Sequence, residues 1–165
     1  MNIKIFDGFT LKLIMAVLML FDHIAQFIPD APYWFHWLGR IVAPIFLFLL
    51  TEGYEYTKNR LAYMKRLFTW SGIMFIGNTL LYIIFKREPF IYNNIFFSMA
   101  LGIALLMVIE NKITIEDKYK FKNTILIIII LILASLAEGS IITTAMILIF
   151  HYLKEDKFKM SLAYI

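Results

Sequence analysis

Residues 11–28 read LKLIMAVLMLFDHIAQFI. Only Lys12 at the start, the pair Asp22–His23 and Gln26 interrupt the apolar side chains, and no Gly or Pro breaks the run. As a helix rising 1.5 Å per residue it would be about 27 Å long, close to the ~30 Å hydrocarbon core of a bilayer. It is too long for the apolar region of a signal peptide. It is followed by PDAPYW rather than a small-residue cleavage site. The run therefore reads as a membrane helix carrying an acid and a histidine.

The same reading extends along the chain. Of 165 residues, 61% are hydrophobic and 17% aromatic, well above the roughly one-half apolar content of soluble domains. Six candidate spans follow in order: Leu11–Ile28, Phe35–Tyr56, Leu67–Phe85, Asn93–Ile109, Thr124–Ala137 and Ser140–Leu153. Helices are expected because lipid cannot satisfy the open edge of a strand, and the period-2 alternation of a membrane barrel is absent. The closing FKMSLAYI reads as the first turns of a seventh span, which makes the chain look shortened at its C-terminus. The expected fold is an all-α polytopic transmembrane bundle, one integral-membrane domain over residues 1–165.

Charge placement sets the expected orientation. Lys4 and Lys12, then Lys58, Arg60, Lys65 and Arg66, then Lys112, Lys118, Lys120 and Lys122, and finally Lys154, Lys157 and Lys159 place thirteen cations on one side of a six-span chain; Lys86 and Arg87 lie on the other. Positive residues mark the cytoplasmic side, so both termini are expected inside. The basic segment Lys58–Arg66 reads as a loop, accounted for by this rule or serving as a seat for phosphates. Nucleic acid is not an expected partner. With no Cys and three scattered His, a metal site is not expected either.

Polar groups at membrane depth are costly and usually face the interior. Asp22, His23, Arg40, Asn93, Asn94 and Glu138 all fall toward the outer face. Histidine suits proton transfer near neutrality, so Asp22 and His23 read either as a general base with its carboxylate or as a pair that packs helices. Pro44 leaves the carbonyl of Arg40 without its helical partner. Arg40 could then bind an anion, stabilise an oxyanion, or pair with Asp22 or Glu138. At the inner end Glu52 and Tyr56 share a face. Tyr33, Trp34 and Trp37 suit an outer aromatic belt. Gly72, Gly77 and Gly102 are candidates for close helix contacts. His151 has no acidic partner within its own helix.

LKLIMAVLMLFDHIAQF, LGRIVAPIFLFLLTEGYEYTKNRLAYMKRLF and NNIFFSMALGIALL together resemble the TraX family, named for the conjugative-plasmid protein that acetylates the N-terminus of pilin. The resemblance covers most of residues 11–107. It implies an acetyl-CoA-dependent membrane acetyltransferase with Asp22 and His23 as the active-site pair. Arg40, Pro44 and Phe46 match Arg…Pro-Ile-Phe; Glu52, Gly53 and Thr57 match Glu-Gly…Thr; Tyr63, Arg66 and Leu67 match Tyr…Arg-Leu; Asn94 and Ile95 match Asn-Ile. Ser98 stands where a Thr is expected, and Glu138-Gly139 lacks the Tyr expected between them. The expected catalytic residues are thus Asp22, His23 and Arg40. Glu52, Thr57, Arg60, Arg66, Asn93, Asn94, Ser98 and Glu138 are expected to bind acetyl-CoA or an acceptor peptide or glycan. Two other functions fit the composition. One is a non-enzymatic accessory, chaperone or exclusion factor that keeps the fold. The other is a small proton-coupled transporter, which the nearly pure apolar inner halves of the later spans and the lack of an inverted repeat disfavour.

Overall fold

Six helices form among the described residues: α1 (Gly8–Phe27), α2 (Trp34–Tyr56), α3 (Arg60–Phe85), α4 (Ile95–Ile109), α5 (Lys120–Leu136) and α6 (Ser140–Tyr152). A computed structural model describes residues 8–27, 30, 32–85, 94–110, 120–137, 140–154 and 156. No strand occurs among them. The described residues make an all-helical fold, and the chain divides into two compact units, Met1–Glu52 and Gly53–Ile165. Residues 158–165, read above as the start of a seventh span, lie outside the described residues.

Two helical segments are long and apolar enough to cross a membrane, Trp37–Tyr56 and Arg60–Ile84. The later helices are shorter. At 15 and 13 residues, α4 and α6 are about 22 and 20 Å long. Among the described residues, length and composition support two crossings.

In the first unit, α1 and the start of α2 approach closely. Phe21 packs on Phe35 with ring centroids 5.0 Å apart. Asp30, between the helices, has φ of 66°, a left-handed conformation that short polar side chains tolerate. Pro44 lies inside α2, which runs unbroken past it.

In the second unit α4 is the centre. It is apolar on every side, and such a helix must be surrounded. Every residue from Ser98 to Val108 is buried. Helices α3, α5 and α6 pack against it. Leu101, Ala104, Leu105 and Val108 form a core with Ile130 and Ala134 of α5, flanked by Met64 and Phe68 of α3 and Leu148 of α6. The outer helices keep apolar outer faces. On α5, Ile125, Ile128, Ile129, Ile132, Leu133 and Leu136 are all exposed, spaced as one face of a helix. On α3, Ile73, Ile76, Leu80 and Ile83 are likewise exposed.

The third helix begins at Arg60, not Leu67, so most of the expected basic loop is helix. Asn59 is the cause: its side-chain Oδ1 accepts from the amide of Ala62 at 2.9 Å, an N-cap that turns Arg60, Lys65 and Arg66 into the first two turns of α3. The glycine expectations divide. A β-carbon at Gly102 would collide with Ile147, so α4 and α6 do need a small residue there. Gly72 and Gly77 have nothing within 4 Å of a β-carbon, so they do not mark close contacts.

Gly102→Val should therefore lower stability by about 1–3 kcal/mol through overpacking. Adding Ile147→Ala should recover part of the loss. Thermal unfolding in detergent measures both; equal melting temperatures for Gly102→Val and the parent would contradict the packing at this point.

Candidate functional site

Within the first unit, α1 and α2 bring the Asp22–His23 segment alongside Gly39–Arg40. A β-carbon at Gly39 would collide with the carboxyl group of Asp22. Glycine is thus required for the acid to lie against α2, one residue before Arg40. Arg40 is exposed, and His23 lies in α1 beside Asp22. Glu52 is exposed near the C-terminal end of α2.

In the second unit, the parts of the chain meet in three places. Gly53 on α2 leaves room for the Tyr63 hydroxyl, which would come within 2.8 Å of a β-carbon there. Arg66 lies over the Tyr63 ring, 5.6 Å from its centroid. Thr57, just after α2, is half-buried.

The second place is the start of α4. Asn94 caps that helix, its Oδ1 accepting from the amide of Phe97 at 3.1 Å. Its Nδ2 donates to the Ser71 carbonyl at 3.0 Å and to the Ser71 hydroxyl at 3.2 Å. One side chain thus ends α4 and ties it to α3. Ser98 is buried one turn further on. Asn93 and Glu138 lie outside the described residues.

The third place carries most of the polar chemistry, and the sequence reading missed all of it but Arg60. His151, near the end of α6, sits between two carboxylates from other helices. Its Nδ1 faces Oε1 of Glu55 on α2, and its Nε2 lies 2.9 Å from Oε1 of Glu110, which ends α4. The outer oxygens are matched by cations: Lys154 lies 3.0 Å from Oε2 of Glu55, and Arg60 lies 3.0 Å from Oε2 of Glu110. The Tyr54 hydroxyl donates to Oε2 of Glu110 at 2.7 Å, and Arg60 stacks 4.6 Å from the Tyr54 ring centroid. The result is a chain of alternating charge, Lys154–Glu55–His151–Glu110–Arg60, that joins the ends of α2, α3, α4 and α6.

This arrangement limits the chemistry available. The carboxylates face opposite ring nitrogens, so the three side chains do not converge on one ion as metal ligands must. Among the described residues no group of three or more His, Cys, Asp or Glu is arranged to hold a metal. Arg60 is committed to Glu110 and Tyr54. Lys58, Lys65 and Arg66, by contrast, are exposed at the same end of the unit.

Tyr54 is fully buried, which makes its bond to Glu110 testable by a double-mutant cycle. Glu110→Ala should cost about 1–3 kcal/mol, in part because the Tyr54 hydroxyl loses its acceptor. Adding Tyr54→Phe should then cost less than Tyr54→Phe does alone. Denaturant unfolding reads the cycle, and strictly additive losses would show that the bond carries no coupling.

The sequence patterns in these helices also match a protein-family model. No curated protein and no solved structure matches the chain. The family model described as TraX protein matches residues 7–164, which includes the segments holding Asp22, Gly39, Tyr63, Asn94 and His151. The chain belongs to the TraX family.

Proposed function

We propose that this protein is a membrane-embedded acetyltransferase that moves an acetyl group from cytoplasmic acetyl-CoA to an acceptor at the outer face: a peptide N-terminus, a glycan or a lipid-linked group. Family membership supports the reaction class. The observation that carries the site is the fit of the Asp22 carboxyl group against Gly39. It brings the Asp-His pair of α1 beside the segment that presents Arg40.

The bilayer reading rests on the bare apolar faces of α3 and α5. Contiguous exposed apolar surface calls for a lipid or protein cover. Together with the two helices of crossing length and the thirteen cations on one side, it supports a multi-pass protein of the bacterial cytoplasmic membrane with both termini inside. Lys58, Lys65 and Arg66 fit the phosphates of acetyl-CoA in charge and exposure.

In the reaction, an acceptor amine or hydroxyl gives its proton to His23, which Asp22 assists. The freed lone pair attacks the thioester carbonyl, and Arg40 faces the oxyanion. The carbon–sulfur bond breaks, and the thiolate takes up a proton as CoA leaves. Alternatively, His23 takes the acetyl group first and passes it on. A second reading, a non-enzymatic accessory of the same fold, is favoured by His151, whose two nitrogens are occupied by glutamates as in a structural joint.

Vesicles containing the protein and supplied with acetyl-labelled CoA should transfer label to a membrane or lumenal product. His23→Ala at matched abundance should lower the rate by roughly 10²-fold or more. Gly39→Leu, which displaces Asp22, should lower it as well. Equal labelling by the parent and His23→Ala would count against the acetyltransferase.

A further inference from the structure

We infer that Glu55, His151 and Glu110 form a proton-binding site at the Lys- and Arg-rich end of residues 53–165. The inference is independent of the acetyl-transfer reading. Its ligand is a proton from the solvent facing that end, and its occupancy determines whether α6 stays joined to the ends of α2 and α4.

The argument is a count of protons. Glu55 and Glu110 approach opposite nitrogens of one ring. Each approach is favourable only with a proton between the two atoms, on either the ring or the carboxyl group. A neutral imidazole has one N–H and one bare lone pair. With two ionised glutamates it satisfies one approach, while the other sets a nitrogen lone pair against a carboxylate oxygen. The joint as observed therefore holds two protons among three groups, and the second belongs to the trio rather than to any one residue.

Burial makes this second proton matter. Glu55 Oε1 and His151 Nδ1 are both buried and have no hydrogen-bond partner apart from their approach to each other. Neither can turn to a substitute when the proton leaves, so that side of the joint must open or take in water. The surrounding charges do not fix the proton permanently. Arg60 and Lys154 already balance the two carboxylates, so a neutral ring leaves the cluster uncharged overall. Tyr54 of α2 donates to Glu110, and Tyr152 of α6 places its ring 4.8 Å from that of His151. Helix α5 carries no titratable residue from Asn123 to Leu136. Solvent reaches the site through Glu55 and Lys154, whose side chains are 21% and 47% exposed.

The joint should therefore be closed at low pH and open as the pH is raised, over a scan from about 5 to 8, once the second proton leaves the trio. Amide hydrogen exchange over residues 148–154, in the full chain in lipid vesicles and corrected for intrinsic rates, reads this directly. The parent should lose at least ten-fold protection across that range. Glu55→Gln is the decisive variant. Its amide oxygen can still accept from Lys154, and its NH₂ donates to the bare Nδ1, so the joint should stay closed with a neutral ring and the pH step should vanish. His151→Gln should abolish the step as well. A parent with flat protection, or a step of equal size in Glu55→Gln, would overturn the proton site.

Discussion

Helix α4 has no polar face, and the second unit is arranged around that constraint. A helix that is apolar all round must be enclosed, and α3, α5 and α6 enclose it. In water, burying its Leu, Ile, Met and Val side chains would supply about 1.5–3 kcal/mol each. Yet α5 and α3 present equally apolar faces outward. In the bilayer reading this is consistent, because lipid tails are as apolar as leucine and burial by itself contributes little. Association then depends on fit. Gly102, Ala100 and Ala104 keep the side chains of α4 short, and Ile147 fills the space that Gly102 leaves.

Fit alone leaves register weakly specified, since one apolar face slides easily over another. The polar contacts remove that freedom at both ends of α4. Asn94 joins its start to Ser71 of α3. Glu110 joins its end to His151 of α6, Arg60 of α3 and Tyr54 of α2. Hydrogen bonds have definite lengths and directions, so a slip of one residue would break both sets. Polar groups that contribute little to net stability can still select one packing from many.

The helical class was legible because hydrophobic runs of this length are informative in themselves. Helix α5 is the clearest case. Its segment from Thr124 to Ala137 holds six Ile, which by intrinsic preference alone would favour a strand; the demand that every backbone group be satisfied internally points to a helix, and a helix forms. The start of α3 was less legible. Lys58–Arg66 looked like a loop because its charge suited one, while the deciding signal was the single residue Asn59. The number of crossings was less legible than the helical class: two described segments have crossing length, and α4, α5 and α6 are shorter.

The site was legible where its residues are neighbours in sequence and illegible where they are not. Asp22–His23 stands out because two ionisable groups adjoin in an apolar run. The need for Gly39 opposite Asp22 does not, because a helix crossing decides it. His151 was set aside because no acid lies within reach on its own helix. Its partners stand 96 and 41 positions earlier in the chain, at Glu55 and Glu110. A tyrosine–glutamate pair at the end of one helix, a lone glutamate closing another and a histidine ending a third each look like ordinary interfacial residues. Only the packing around α4 brings those ends together, so the same constraint that makes the unit apolar also assembles its most polar site.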